Sequence, residues 1–137
     1  MQLRPEALRF VLAQGLPATI EVVGTSMEPT ITKGAKVSVG AWLPGSERAG
    51  DVVLLATVGD GLLLHRVMQL FHEGADTFVV HQGDAPSSQP AVVARAAVLG
   101  RMLAFAPPDG RAAPTPDRLD AAARARFARR RLARRAR

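Results

Sequence analysis

Val22-Val23-Gly24-Thr25-Ser26-Met27-Glu28-Pro29-Thr30-Ile31 is the stretch on which the reading of this chain turns. The β-branched run from Thr19 to Val23 reads as a strand. It ends at a glycine, and a single serine then stands between the flexible Gly24 and the φ-restricted Pro29. Such a turn can expose the Ser26 hydroxyl and leave nearby backbone N–H groups free for an oxyanion. Gly24, Thr25, Met27 and Pro29 would line that substrate and oxyanion region, with Met27 as its apolar wall. Serines in turns are common, however, and a hydroxyl is a poor nucleophile unless a neighbour accepts its proton.

A base is available in Leu62-Leu63-Leu64-His65-Arg66-Val67. Strand alternation puts His65 on one face with Leu63 and Val67, and Arg66 on the other, toward solvent. A near-neutral pKa makes histidine a ready general base. The plainer alternative is a core-edge histidine bonded to backbone. An acid is available in Val79-Val80-His81-Gln82-Gly83-Asp84. Asp84 could orient His65, or brace its loop by accepting backbone N–H groups. The residues favour bracing, as they do for Asp51 after Gly50.

The other elements follow from local signals. Pro5 to Gln14 reads as a short helix, with proline in the first turn, Glu6 near its N-terminus, Gly15 as its stop, and Leu8, Val11 and Leu12 as its buried stripe. Val37 and Val39 alternate with polar or small residues as a half-buried strand. Asp51–Thr57 and Leu62–Leu70 are strands joined by a turn at Gly59-Asp60-Gly61. Thr77–His81 follows the turn Glu73–Asp76, and two short strands are expected around Gly100 within Val92–Phe105. Trp42 should cap the edge of the core. Six to eight short strands with little helix predict a mainly β fold, a compact, twisted, partly closed antiparallel structure with short terminal helices. Long helices do not separate the strands, which argues against a Rossmann-like or flavodoxin-like order.

The 137 residues suit one domain over 1–106, followed by a proline-rich linker, 107–116, and a helix-prone basic tail, 117–137. The formal charge of +6 is uneven. Residues 118–137 hold nine of the eighteen basic side chains and one acid, Asp120, so the body is close to neutral. Only the tail supports contact with an anionic membrane surface, an acidic partner or nucleic acid. No cysteine is present, which excludes disulfides and thiolate chemistry. His65, His72 and His81 lack metal-motif spacing, so neither metal nor cofactor is expected. No run of 18 apolar residues offers a transmembrane anchor, and the first residues make a poor signal peptide. The expected location is the cytoplasm, with the inner membrane surface as a peripheral site.

In order along residues 16–105, the chain carries Gly24-Thr25-Ser26-Met27-Glu28-Pro29-Thr30-Ile31, Gly34, Gly50-Asp51-Val52-Val53, His65-Arg66-Val67, Gly83-Asp84 and Val98-Leu99-Gly100-Arg101. This ordered set resembles the S24/S26 serine peptidase superfamily, which includes type I signal peptidases and the self-cleaving domain of LexA-like repressors. Histidine in place of the lysine base is similar to the superfamily's Ser–His branch. The resemblance implies a Ser26 nucleophile, a His65 general base, an oxyanion donor in the Ser26 N–H, and a peptide or protein substrate bound as an extended strand with small residues beside the cut. Relatives in this branch often carry a further aspartate five or six residues after the Gly-Asp pair. Here Gln89 and Pro90 stand there, so Asp84 takes the role, Gln89 bonds the imidazole, or the site works as a dyad.

With 25 residues before Ser26 there is neither a membrane anchor nor space for a DNA-binding domain upstream, so the expectation is a soluble processing endopeptidase, acting on the leader of a small precursor or on one dedicated partner. The alternatives are a peptide-binding module of the same fold without turnover, and a nucleic-acid-associated protein acting through its arginine-rich tail.

Overall fold

A computed structural model describes residues 3–59 and 61–108. Asp60, almost all of the linker and the basic tail lie outside the described residues. The described chain runs α1 (Pro5–Ala13), β1 (Ala18–Glu21), β2 (Lys36–Gly40), β3 (Val52–Ala56), β4 (Leu62–Glu73), β5 (Asp76–Gln82), β6 (Ala91–Ala94), a 3-10 turn (Arg95–Ala97) and β7 (Val98–Ala106). It is mainly antiparallel β, with one short α-helix among the described residues. The seven strands form one sheet in the order β1-β2-β7-β3-β4-β5-β6. No helix among the described residues is long and apolar enough to cross a membrane.

Helix α1 begins with Pro5, whose missing N–H costs nothing in a first turn, and is followed by Gly15 at φ +78°. Leu8 and Leu12, one turn apart, are buried along with Pro5, and Val11 beside them is half-buried. They seal a core shared by Ile20 of β1, Val37 and Val39 of β2, Leu54 of β3 and Leu64 of β4. Strands β1 and β4 stand four places apart in the sheet, a separation of about 19 Å if it were flat. Ile20 and Leu64 nonetheless join one buried cluster, so the sheet coils around this core. Alternate residues supply a second cluster on the opposite face, with Val53 and Leu55 of β3, Val67 of β4, Val79 of β5 and Trp42.

Trp42 is held at the edge of that second cluster. Its Nε1 donates to Asp51 Oδ2 at 3.1 Å, and Arg95 lies 4.5 Å above its ring centroid. Asp51 Oδ2 also accepts Arg48 N–H at 3.1 Å, which is the bracing role read for it.

The sequence divides the last segment in the wrong place. The break between β6 and β7 falls at Arg95–Ala97, whereas Gly100 lies inside β7. Close packing explains the glycine. A Cβ there would sit 2.4 Å from Gly40 O and 2.8 Å from Leu12 Cδ1, so the residue allows helix and neighbouring strand to approach rather than ending a strand.

Candidate active site

The Ser26 turn is anchored through its neighbours. Met27 and Ile31 are buried in the first core cluster. Glu28 N–H donates to Thr25 O at 3.1 Å and Ile31 N–H to Met27 O at 3.0 Å. Ser26 is half-buried, while Gly24, Thr25 and Pro29 are exposed. The Ser26 carbonyl accepts Ala85 N–H at 2.9 Å, which docks the loop following β5 onto the serine. Gly83 is the point of closest approach: a Cβ there would fall 2.2 Å from Ser26 O and 2.8 Å from Ser88 Oγ. Ser88 Oγ takes the Gly83 N–H at 2.8 Å, and Ser88 O takes Gln82 Nε2 at 2.7 Å.

His65 is carried by β4. The ladder pairs Arg66 with Gln82 and Val67 with His81. The ladder stops there; on its other side His65 pairs with Val53 of β3, and opposed residues share a face, here that of the second cluster. His65 is 7% exposed. Its Nδ1 lies 2.9 Å from Nδ1 of His81, which is also buried. Its Nε2 is buried with no hydrogen-bond partner among the described residues. The Ser26 hydroxyl is thus not hydrogen-bonded to Nε2 in this state, and such bonds are often long before substrate binds. Burial, followed by the neighbouring His81, lowers the His65 pKa to about 4, against a smaller upward pull from the Asp84 carboxylate. Burial also lowers the pKa of His81. Both rings are neutral near pH 7.

Asp84 ties two elements together. Arg66 Nε donates to its Oδ1 at 2.9 Å and Nη2 to its Oδ2 at 2.6 Å, while Thr30 Oγ1 donates to Oδ2 at 2.6 Å. Arg66 Nη1 donates to Gly50 O at 2.8 Å. The carboxylate so links the Ser26 turn, through Thr30, to β4. The expectation that Arg66 faces solvent is overturned, since the residue is 1% exposed. Alternation does send it away from His65, but the face it meets is covered by the Ser26 turn and the Asp84 loop, and three charge-assisted bonds compensate its burial.

Of the groups considered as support for the imidazole, Gln89 is exposed, and Nδ1 of His65 is met by His81. That second histidine was not singled out in the sequence. Its signal was the i, j±2 diagonal across an antiparallel pair, which places side chains within reach on one face.

A cleft of about 120 Å³ opens beside the serine, lined by Ile20, Val22 and Ser26 on one side and by Leu54, Leu62 and Leu64 on the other. Both flanks present strand edges. Among the described residues, β1 pairs only with β2, and β5 reaches β4 no further than Arg66, so Leu62–His65 have a strand neighbour only in β3.

No protein-family model matches the chain, and no curated protein matches it significantly.

Proposed function

We propose that this chain is a serine endopeptidase of the signal peptidase/LexA type, which cleaves an extended peptide next to small residues. Ser26 Oγ attacks the scissile carbonyl as its proton passes to His65 Nε2. The Ser26 N–H receives the oxyanion, and the proton then goes to the leaving amine. Water completes the cycle by the reverse route on the acyl-enzyme. The observation that carries this reading is the buried, partnerless Nε2 of His65 on the strand that the next residue, Arg66, ties through Asp84 and Thr30 to the Ser26 turn. A buried polar atom without a partner is costly and calls for an explanation, and a role in accepting the serine proton supplies one. The two open strand edges along the cleft supply the means to hold an extended chain by main-chain bonds. A soluble enzyme trimming the leader of a small precursor fits this chemistry.

The test uses the full chain and a library of peptides bearing Ala, Gly or Ser at successive positions, with products identified by mass. The expected result is cleavage at one bond, reduced on the order of 10⁴-fold or more in Ser26→Ala. Cleavage that persists in Ser26→Ala overturns the reading. Binding without turnover is the second reading, favoured by the absence of a hydrogen bond between Ser26 and Nε2. It requires the two proteins to bind the same peptide equally and to cleave nothing.

A further inference from the structure

The 2.9 Å contact between the two histidines holds one proton between two nitrogens. Two arrangements satisfy it. Either His65 donates from Nδ1 and keeps a lone pair at Nε2, or His81 donates and His65 carries its proton on Nε2. The second leaves a buried N–H with no acceptor, because Nε2 has no partner among the described residues. The first leaves only an unfilled lone pair, which costs less.

We propose that His81 is a positioning residue, which accepts the His65 Nδ1–H and so fixes the tautomer whose Nε2 lone pair is free to take the serine proton. An aspartate or asparagine usually supplies this orientation in serine and cysteine hydrolases. Here the nearby carboxylate of Asp84 is held by Arg66 and Thr30, and a neutral imidazole takes the place. When His65 accepts the serine proton at Nε2, His81 continues to accept at Nδ1 and takes no proton itself. Among the described residues, Asp84, with Arg66 paired to it, acts on the ring, and Arg101, paired with Asp51 at 3.5 Å, stands on the far side of β3, opposite the same Val53 as His65. The kinetic consequence rests on the Ser26–His65 reading, whereas the tautomer does not.

Nitrogen NMR of the imidazoles at pH 7.5 in the full chain tests the tautomer directly. His65 should be protonated at Nδ1. In His81→Phe, which keeps a ring but removes the acceptor, the Nε2–H form should appear. His81→Asn restores an acceptor oxygen and should restore the Nδ1–H form. A proton on Nε2 in the unsubstituted protein, or a tautomer unchanged in a folded His81→Phe, overturns the proposal. On a peptide that the unsubstituted chain cleaves, His81→Phe should lower kcat about 10²-fold or more, with KM within about threefold. His81→Asn should recover part of that loss, and a change confined to KM would count against positioning. Should the unsubstituted chain cleave nothing, the peptidase reading falls, and the tautomer measurement alone decides the role of His81.

Discussion

Arg66 and Asp84 form a two-pronged ion pair, at 2.9 and 2.6 Å, in which the arginine is 1% exposed. The pair stands between the Ser26 turn and the strand that carries His65, so the spacing of the two depends on it. Removing one partner leaves a buried charge without compensation. Asp84→Asn or Arg66→Met should therefore cost about 3–5 kcal/mol, read from urea unfolding. Arg66→Met combined with Asp84→Leu should cost less than the sum of the single changes. Additive losses would show that the two side chains do not act as a unit.

Gly83 and Gly24 flank the serine in space and in sequence, yet they should respond differently to alanine. A Cβ at Gly83 would meet Ser26 O at 2.2 Å, a backbone atom that can yield only if the turn shifts. A Cβ at Gly24 meets nothing within 4 Å. Gly83→Ala should lose about 1–3 kcal/mol of stability and displace Ser26. Gly24→Ala should stay within about 0.5 kcal/mol. Thermal unfolding measures both, and equal effects would contradict the close approach.

The histidine pair makes stability depend on pH. Above pH 6.5, His65 is neutral whether folded or unfolded, and it contributes no slope. Between 6.5 and about 4 the unfolded chain binds a proton that the folded chain refuses, so the free energy of unfolding falls as pH falls, and the His65 contribution levels off below about 4. The loss for His65 is on the order of 3 kcal/mol. His81, lowered in the same direction, steepens it. Chemical denaturation at steps of pH should show this slope, and His65→Leu should remove most of it. On the peptidase reading, the same pKa places the acid limb of kcat/KM well below the usual histidine range.

Much of the scaffold was legible because its signals are local. Alternation at Val37 and Val39 gave β2, the glycines at 59 and 61 gave the turn before β4, and Pro5 and Gly15 bounded α1. Gly100 misled because a glycine that ends a strand and one that lets another backbone approach look alike in sequence. Arg66 misled because alternation tells which face a side chain takes, not what covers that face. The neighbour of His65 depended on register. Counted inward from the Glu73–Asp76 pair without interruption, His65 would stand opposite Asp84, with His81 on the other face. The bulge between Val67 and Gln69 shifts the ladder by one residue and brings His81 to His65 instead. One inserted residue therefore changes which group meets the imidazole, and nothing in the local composition announces it.

On the peptidase reading, the edge at Leu62–His65 that no strand covers among the described residues bears on how a substrate would be held. If an extended peptide is held there by main-chain bonds, its own backbone N–H groups must take part, and only alternate ones face the edge. N-methylation along a cleaved peptide should then lower kcat/KM about fivefold to tenfold at alternate positions, since a lost neutral hydrogen bond costs about 1 kcal/mol. Methylation at the positions between should have a smaller effect, apart from the scissile amide. A uniform response, or none outside the scissile bond, would mean that side-chain contacts in the cleft hold the substrate and that the open edge of β4 plays no part in binding.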